Sequence, residues 1–173
     1  AVNQGTVTHS RDVVYDPNSN QIFVSSASEG SNGNGYISVF EAGDNDGNGT
    51  KFEKIQDIAE LPRTEFSPMS LELDAESGKL YTTSLQTSKA MEIDTETLDY
   101  RIIDLPGLDD LGTRGASGVA FDPVTDQLYI VAQDNDLLLI TDLDGATVRQ
   151  VPIGAGALNV AFDQVNRLVY VTN

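Results

Sequence analysis

Read for alternation, the chain breaks into short β-type runs separated by polar turns. Val13-Val14-Tyr15 ends at Asp16, the turn-forming stretch Pro17-Asn18-Ser19-Asn20 follows, and Ile22-Phe23-Val24 begins a second run. The unit recurs three times. Leu71-Glu72-Leu73-Asp74 leads to Leu80-Tyr81-Thr82, Val119-Ala120-Phe121-Asp122 to Leu128-Tyr129-Ile130, and Val160-Ala161-Phe162-Asp163 to Val169-Tyr170-Val171. In every unit an aromatic residue stands seven positions after the aspartate: Phe23, Tyr81, Tyr129 and Tyr170. Each unit predicts a hairpin, with the aspartate closing the first strand and its carboxylate accepting backbone N–H bonds in the turn.

The third copy continues with Leu137 to Asp142, a turn at Asp144-Gly145 and Val148 to Ile153, which makes four strands per unit. The aspartates Asp16, Asp74, Asp122 and Asp163 are 58, 48 and 41 residues apart, close to the roughly 40 to 50 residues of a four-stranded propeller blade. Leu128 to Ala132 and Leu137 to Ile140 are apolar on successive residues and need cover on both faces, which favours stacked blades over a lone sheet. Val148-Arg149-Gln150-Val151 alternates and suits a half-wetted outer edge. The expected fold is therefore all-β, a propeller of four-stranded antiparallel blades. About three and a half are present, over residues 9–62, 63–107, 114–154 and an incomplete 155–173.

The closing Tyr170-Val171-Thr172-Asn173 resembles the signature of the YVTN-repeat β-propeller family, and Phe23-Val24-Ser25-Ser26 and Tyr81-Thr82-Thr83-Ser84 are related endings. Tyr129-Ile130-Val131-Ala132 departs from it. The resemblance implies fold more strongly than activity, since similar propellers include surface-layer-like proteins, envelope binding proteins and some enzymes. Rings of this kind close with roughly four to eight blades. The expectation is that further blades or a protein partner complete this one, and Gln4 to Thr8 is a candidate strand for an earlier blade.

Composition narrows the function. The 173 residues hold 27 Asp plus Glu against 10 Lys plus Arg, a net charge of −17, with scattered basic residues, so neither nucleic acid nor an anionic membrane surface is an expected partner. No run approaches the roughly 18 to 20 apolar residues of a membrane span. Cysteine is absent, which removes thiol catalysis and cysteine-held zinc. Strong acidity with abundant Asn, Gly, Ser and Thr leans towards an extracytoplasmic location, periplasmic, cell-surface or secreted.

Topology sorts the loops. The innermost strand of a blade starts at the face that also carries the inter-blade loops and the loops between second and third strands, and similar propellers commonly bind ligands there. His9, Arg63, Asp109, Asp110, Arg114, Asp134 and Asn135 fall on that face and form the candidate ligand or partner surface. His9 is the sole histidine, suited to proton transfer near neutrality but unable alone to make a triad, and a loop hydrogen bond is the plainer reading. No Gly-x-Ser-x-Gly elbow and no phosphate-binding P-loop occur. No catalytic residue is assigned.

On the opposite face, Asp44-Asn45-Asp46-Gly47-Asn48-Gly49-Thr50 matches the first half of a calcium loop, with Asp44, Asp46, Asn48 and Thr50 as candidate ligands. The second half does not match, because Ile55 stands where an EF-hand places a bidentate Glu and Phe52 occupies position nine. A calcium loop and a plain Asn/Asp/Gly turn both remain open, and no other cofactor is required. The functional expectation is a non-enzymatic binding or scaffold module for a protein partner. The alternative is a lactonase-like or other propeller hydrolase whose active site is shared with further blades.

Overall fold

The computed structural model describes residues 9–27, 33–43, 53–62, 64–109 and 115–173. Strands β1 (Ser10–Asp16), β2 (Gln21–Ser26), β3 (Asn34–Glu41) and β4 (Glu53–Pro62) form an antiparallel sheet in that order. A second contains β5 (Pro68–Asp74), β6 (Lys79–Ser84), β7 (Lys89–Asp94) and β8 (Tyr100–Asp104). A third contains β9 (Ala116–Asp122), β10 (Gln127–Ala132), β11 (Leu137–Asp142) and β12 (Thr147–Pro152), and β13 (Asn159–Asp163) pairs with β14 (Leu168–Thr172) alone. One helical turn, Pro106–Asp109, and a 3₁₀ turn, Gln133–Asn135, are the helical elements among the described residues. No described helix is long and apolar enough to cross a membrane.

The same turn closes the first hairpin of all four sheets. One oxygen of Asp16, Asp74, Asp122 or Asp163 accepts the backbone N–H two residues on, from Asn18, Glu76, Val124 and Val165. The other oxygen accepts from the side chain three residues on, from Ser19, Ser77, Thr125 and Asn166. The fourth turn residue is left-handed each time, with φ of 56° at Asn20, 68° at Gly78, 50° at Asp126 and 57° at Arg167. Three of these residue types enter that region readily; Arg167 does not, and its guanidinium is tied to Asp122 of the neighbouring sheet.

Because side chains alternate across a strand, successive apolar residues face opposite neighbours. In β6, Leu80 enters a core shared with the first sheet, where it meets Phe23, Ile37 and Val39, whereas Tyr81 enters one shared with the third sheet, beside Phe121, Leu128 and Ile130. In β10, Tyr129 and Val131 turn to the last hairpin and join Val160, Phe162 and Val171. Three inter-sheet cores therefore hold the stack, as expected of propeller blades. The innermost strands β1, β5, β9 and β13 stand side by side around the axis.

Two details depart from the reading of the sequence. β12 is wetter than a half-buried edge, with five of its six residues exposed and Val151 half-buried. A helical turn in a chain read as all strand follows β8, and its Leu108 is buried in the core between the second and third sheets. The outer rims are also clamped. Gly145, at φ 90°, lets the β11–β12 turn come so close to the carbonyl of Asp104 that a side chain has no room, and Arg101 bridges Glu92, Asp144 and the Leu143 carbonyl there.

Candidate functional site at the channel mouth

The innermost strands begin at one end of the axis, and their first residues surround a cleft of about 240 Å³. Its wall repeats in register. Arg11, Met69, Ser117 and Leu158 each stand five residues before the hairpin aspartate of their sheet, and Asp12, Ser70 and Asn159 each stand four before it. Gly118 is the fourth member of the second set, and a Cβ there would lie 2.8 Å from the Asn159 Cα, so glycine is what allows β9 and β13 to approach this closely.

Cross-strand hydrogen bonds fix the rim. One Asp12 carboxylate oxygen accepts from the Leu71 N–H at 2.9 Å and from the Ser70 hydroxyl at 3.3 Å. The Ser25 hydroxyl accepts the Asp12 N–H at 3.0 Å and donates to the Met69 carbonyl at 2.6 Å, and the Thr83 hydroxyl donates to the Ser117 carbonyl at 3.0 Å. The cleft thus offers one guanidinium, one carboxylate, two hydroxyls and an amide beside two apolar side chains. Its volume falls below the roughly 300 to 1,000 Å³ usual for small-molecule sites.

Glu72 is the unusual group near this wall. It sits two residues before Asp74, where the other sheets have Val14, Ala120 and Ala161. Burial pushes its carboxyl up to about 7, with the Asp12 charge adding to the rise and a hydrogen bond from the Phe121 backbone opposing it. The folded state therefore holds this proton more tightly than the unfolded chain does. The associated stability is fully present below about pH 4.5 and is lost as pH rises towards 7. Glu72→Gln is expected to raise stability at pH 8 by about 2 kcal/mol and to flatten the pH dependence between pH 5 and 7, measured by urea unfolding. A variant whose stability still falls across that window would refute this assignment.

Of the residues singled out from the sequence, the structure places His9, Asp134 and Asn135 at the same end of the axis as the cleft. His9, exposed at φ 57°, immediately precedes β1, and its carbonyl accepts the Ala27 N–H at 3.2 Å. Asp134 and Asn135 lie in the 3₁₀ turn between β10 and β11. None of the three lines the cleft. Asp109 closes the helical turn after β8. Arg63, Asp110 and Arg114, the calcium-loop candidates Asp44, Asp46, Asn48 and Thr50, and the proposed early strand from Gln4 to Thr8 all lie outside the described residues. Among the described residues no three His, Asp or Glu side chains gather as a metal cage.

The cleft-lining set escaped the sequence reading, which looked for chemistry in loops. The signal was the offset from each hairpin aspartate, because positions four and five before it recur around one axis and the side chains there, unlike the aromatics, differ from sheet to sheet.

No protein-family model matches the chain, and no curated protein matches it. Solved structures do. A chain of the nidogen/laminin complex is 17% identical with a TM-score of 0.62, over 100% of this chain and 65% of that one. The putative 6-phosphogluconolactonase from Bacteroides uniformis ATCC 8492 is 11% identical with a TM-score of 0.71, over 98% of this chain and 52% of that one. The WD40 repeats of RRP9 are 15% identical with a TM-score of 0.61, over 93% of this chain and 44% of that one. At these identities the likeness is one of fold, that of a β-propeller, and the chain spans 44 to 65% of each neighbour's length.

Proposed function

We propose that this chain is a YVTN-like propeller unit acting outside the cytoplasm as a binding module, taking side chains of a protein partner into the cleft at the channel mouth. The observation that carries this reading is the cleft itself. It is small, rigidly framed by inter-strand hydrogen bonds and lined by mixed polar and apolar groups. The net charge of −17 favours a basic partner, which the protein's field would draw towards it. Propeller neighbours include both a complex-forming protein and a putative lactonase, so fold alone does not choose between binding and catalysis.

Crosslinking of the purified protein to a native envelope extract tests the proposal. Wild-type protein is expected to recover a partner, and Leu158→Asp, an exposed change at the cleft wall, to lose most of it. Recovery of uncrosslinked protein alone, or capture unaffected by Leu158→Asp, would count against this site.

A further inference from the structure

Glu72 costs stability once it ionises, and the fold has no need of a carboxylate at its position, because Val14, Ala120 and Ala161 fill the same place in the other sheets. An acid kept where an aliphatic residue serves three times over points to a task other than folding. It stands on β5, between the second and third sheets, and both of those sheets have all four strands.

From β1 comes Asp12, which also lines the cleft. Its oxygens accept from the Val13 N–H at 2.9 Å, the Leu71 N–H at 2.9 Å and the Ser70 hydroxyl at 3.3 Å. These are neutral donors, so they fix the carboxylate without cancelling its charge. Leu71 immediately precedes Glu72, so Asp12 is tied to the residue next to Glu72, and its charge adds to the rise of the Glu72 carboxyl. From β6, Tyr81 pairs with Glu72 across the strands, and its phenol, raised by burial, stays neutral near pH 7. Beyond Tyr81 on β7, Glu92 is held by Arg101 of β8 at 2.9 Å. From β9, the Phe121 N–H reaches Glu72, and the acid of that strand, Asp122, is held by Arg167. Asp12 is therefore the uncompensated charge that Glu72 meets, and it faces the cleft.

We propose that the cleft takes the ammonium or guanidinium group of a basic partner and that Glu72 sets the pH at which it does so, holding the cation when ionised beside Asp12 and releasing it when protonated. This rests on the reading of the cleft as a binding site and adds the class of group bound and its regulation. A bound cation favours the ionised carboxylate and so lowers Glu72 from about 7; one unit of lowering corresponds to about tenfold in affinity between the two states. Binding near neutrality then releases a proton. Arg11, the cation of the cleft lining, stays charged at every pH concerned, so it weakens binding without contributing to its pH dependence.

The two methionines make the test direct, since Met69 lines the cleft and Met91 is buried in the core between the first and second sheets. Methionine-methyl NMR of the purified protein follows titration with n-butylguanidinium, and with butyrate as the anion of like size, at constant ionic strength. The guanidinium is expected to shift the Met69 methyl and leave Met91 in place, binding about tenfold more tightly at pH 8.5 than at pH 5.5, and butyrate to shift neither. Glu72→Gln should bind weakly at both pH values, which separates Glu72 from every other titrating group. Equal affinity at the two pH values, a pH dependence that survives in Glu72→Gln, a preference for butyrate, or no Met69 shift with either probe would each overturn the proposal. In any of those cases, partner capture that Leu158→Asp abolishes would still support the binding-module reading. Capture unaffected by Leu158→Asp, with pH-dependent guanidinium binding intact, would instead remove the protein partner and leave the cation site standing.

Discussion

Tyr81→Ala is expected to lower the unfolding free energy by about 4 kcal/mol, whereas Tyr170→Ala, at the same repeat position, should change that of a single copy by about 0.5 kcal/mol or less. Tyr81 is 2% exposed and fills the core between the second and third sheets against Phe121. Truncating it removes a large apolar group and leaves a void that two rigid sheets cannot close by moving together, since both are pinned by their innermost strands. Tyr170 occupies the matching place but is 54% exposed in this chain, so its truncation leaves no enclosed void. Urea unfolding at low protein concentration measures both, and equal losses would refute the stacking assignment.

Asp122→Ala is expected to cost about 3 kcal/mol, against about 1 kcal/mol for Asp74→Ala, which serves the same turn. Both carboxylates accept the turn N–H and a hydroxyl. Asp122 is fully buried and also receives the Arg167 guanidinium from the next sheet and the Tyr129 hydroxyl at 3.5 Å. Burial by itself would raise its carboxyl, but Arg167, Thr125 and the Val124 N–H together hold it well below the usual carboxylate range. A depressed carboxyl contributes stability that is present above its unfolded value near 4 and is lost as pH falls through the folded one. Arg167→Ala should therefore lower the plateau near neutrality, where this contribution is fully present, and its effect should fade as pH falls through the folded value, so that the two proteins converge in acid. Asp94 is also depressed, to about 2, through Lys79 and the Thr97 N–H, and belongs to the same acid window. Glu72 acts in the opposite sense and at higher pH, so the two effects separate on one titration. A plateau near neutrality unchanged in Arg167→Ala, or a loss that persists undiminished in acid, would show that the cross-sheet pair does not set this pH dependence.

Two kinds of position carried the sequence reading, and both are local. The hairpin aspartates were legible because a turn needs a carboxylate that accepts the N–H two residues on, and that requirement is met within four residues whatever surrounds it. Pairs of successive apolar residues, such as Leu80-Tyr81 and Leu128-Tyr129, declared sheets covered on both faces, because alternation sends neighbours to opposite sides. The turn chemistry, the four-sheet repeat and the propeller architecture followed from these features.

Residues whose importance depends on curvature were not legible in this way. Arg11, Ser70, Ser117 and Asn159 look like ordinary strand openings until the sheets fan round an axis and bring together segments some 40 to 60 residues apart. Glu72 reads as an alternating polar residue, and only its closeness to Phe121 and Asp12 makes it a titrating group near neutrality. Arg167 reads as a lone surface cation, yet it neutralises a buried carboxylate 45 positions away in the chain. Hydrogen bonding and alternation act over a few residues and are written in order along the sequence. Desolvation, cleft shape and ion pairing depend on distances through space, which are set only when the sheets stack.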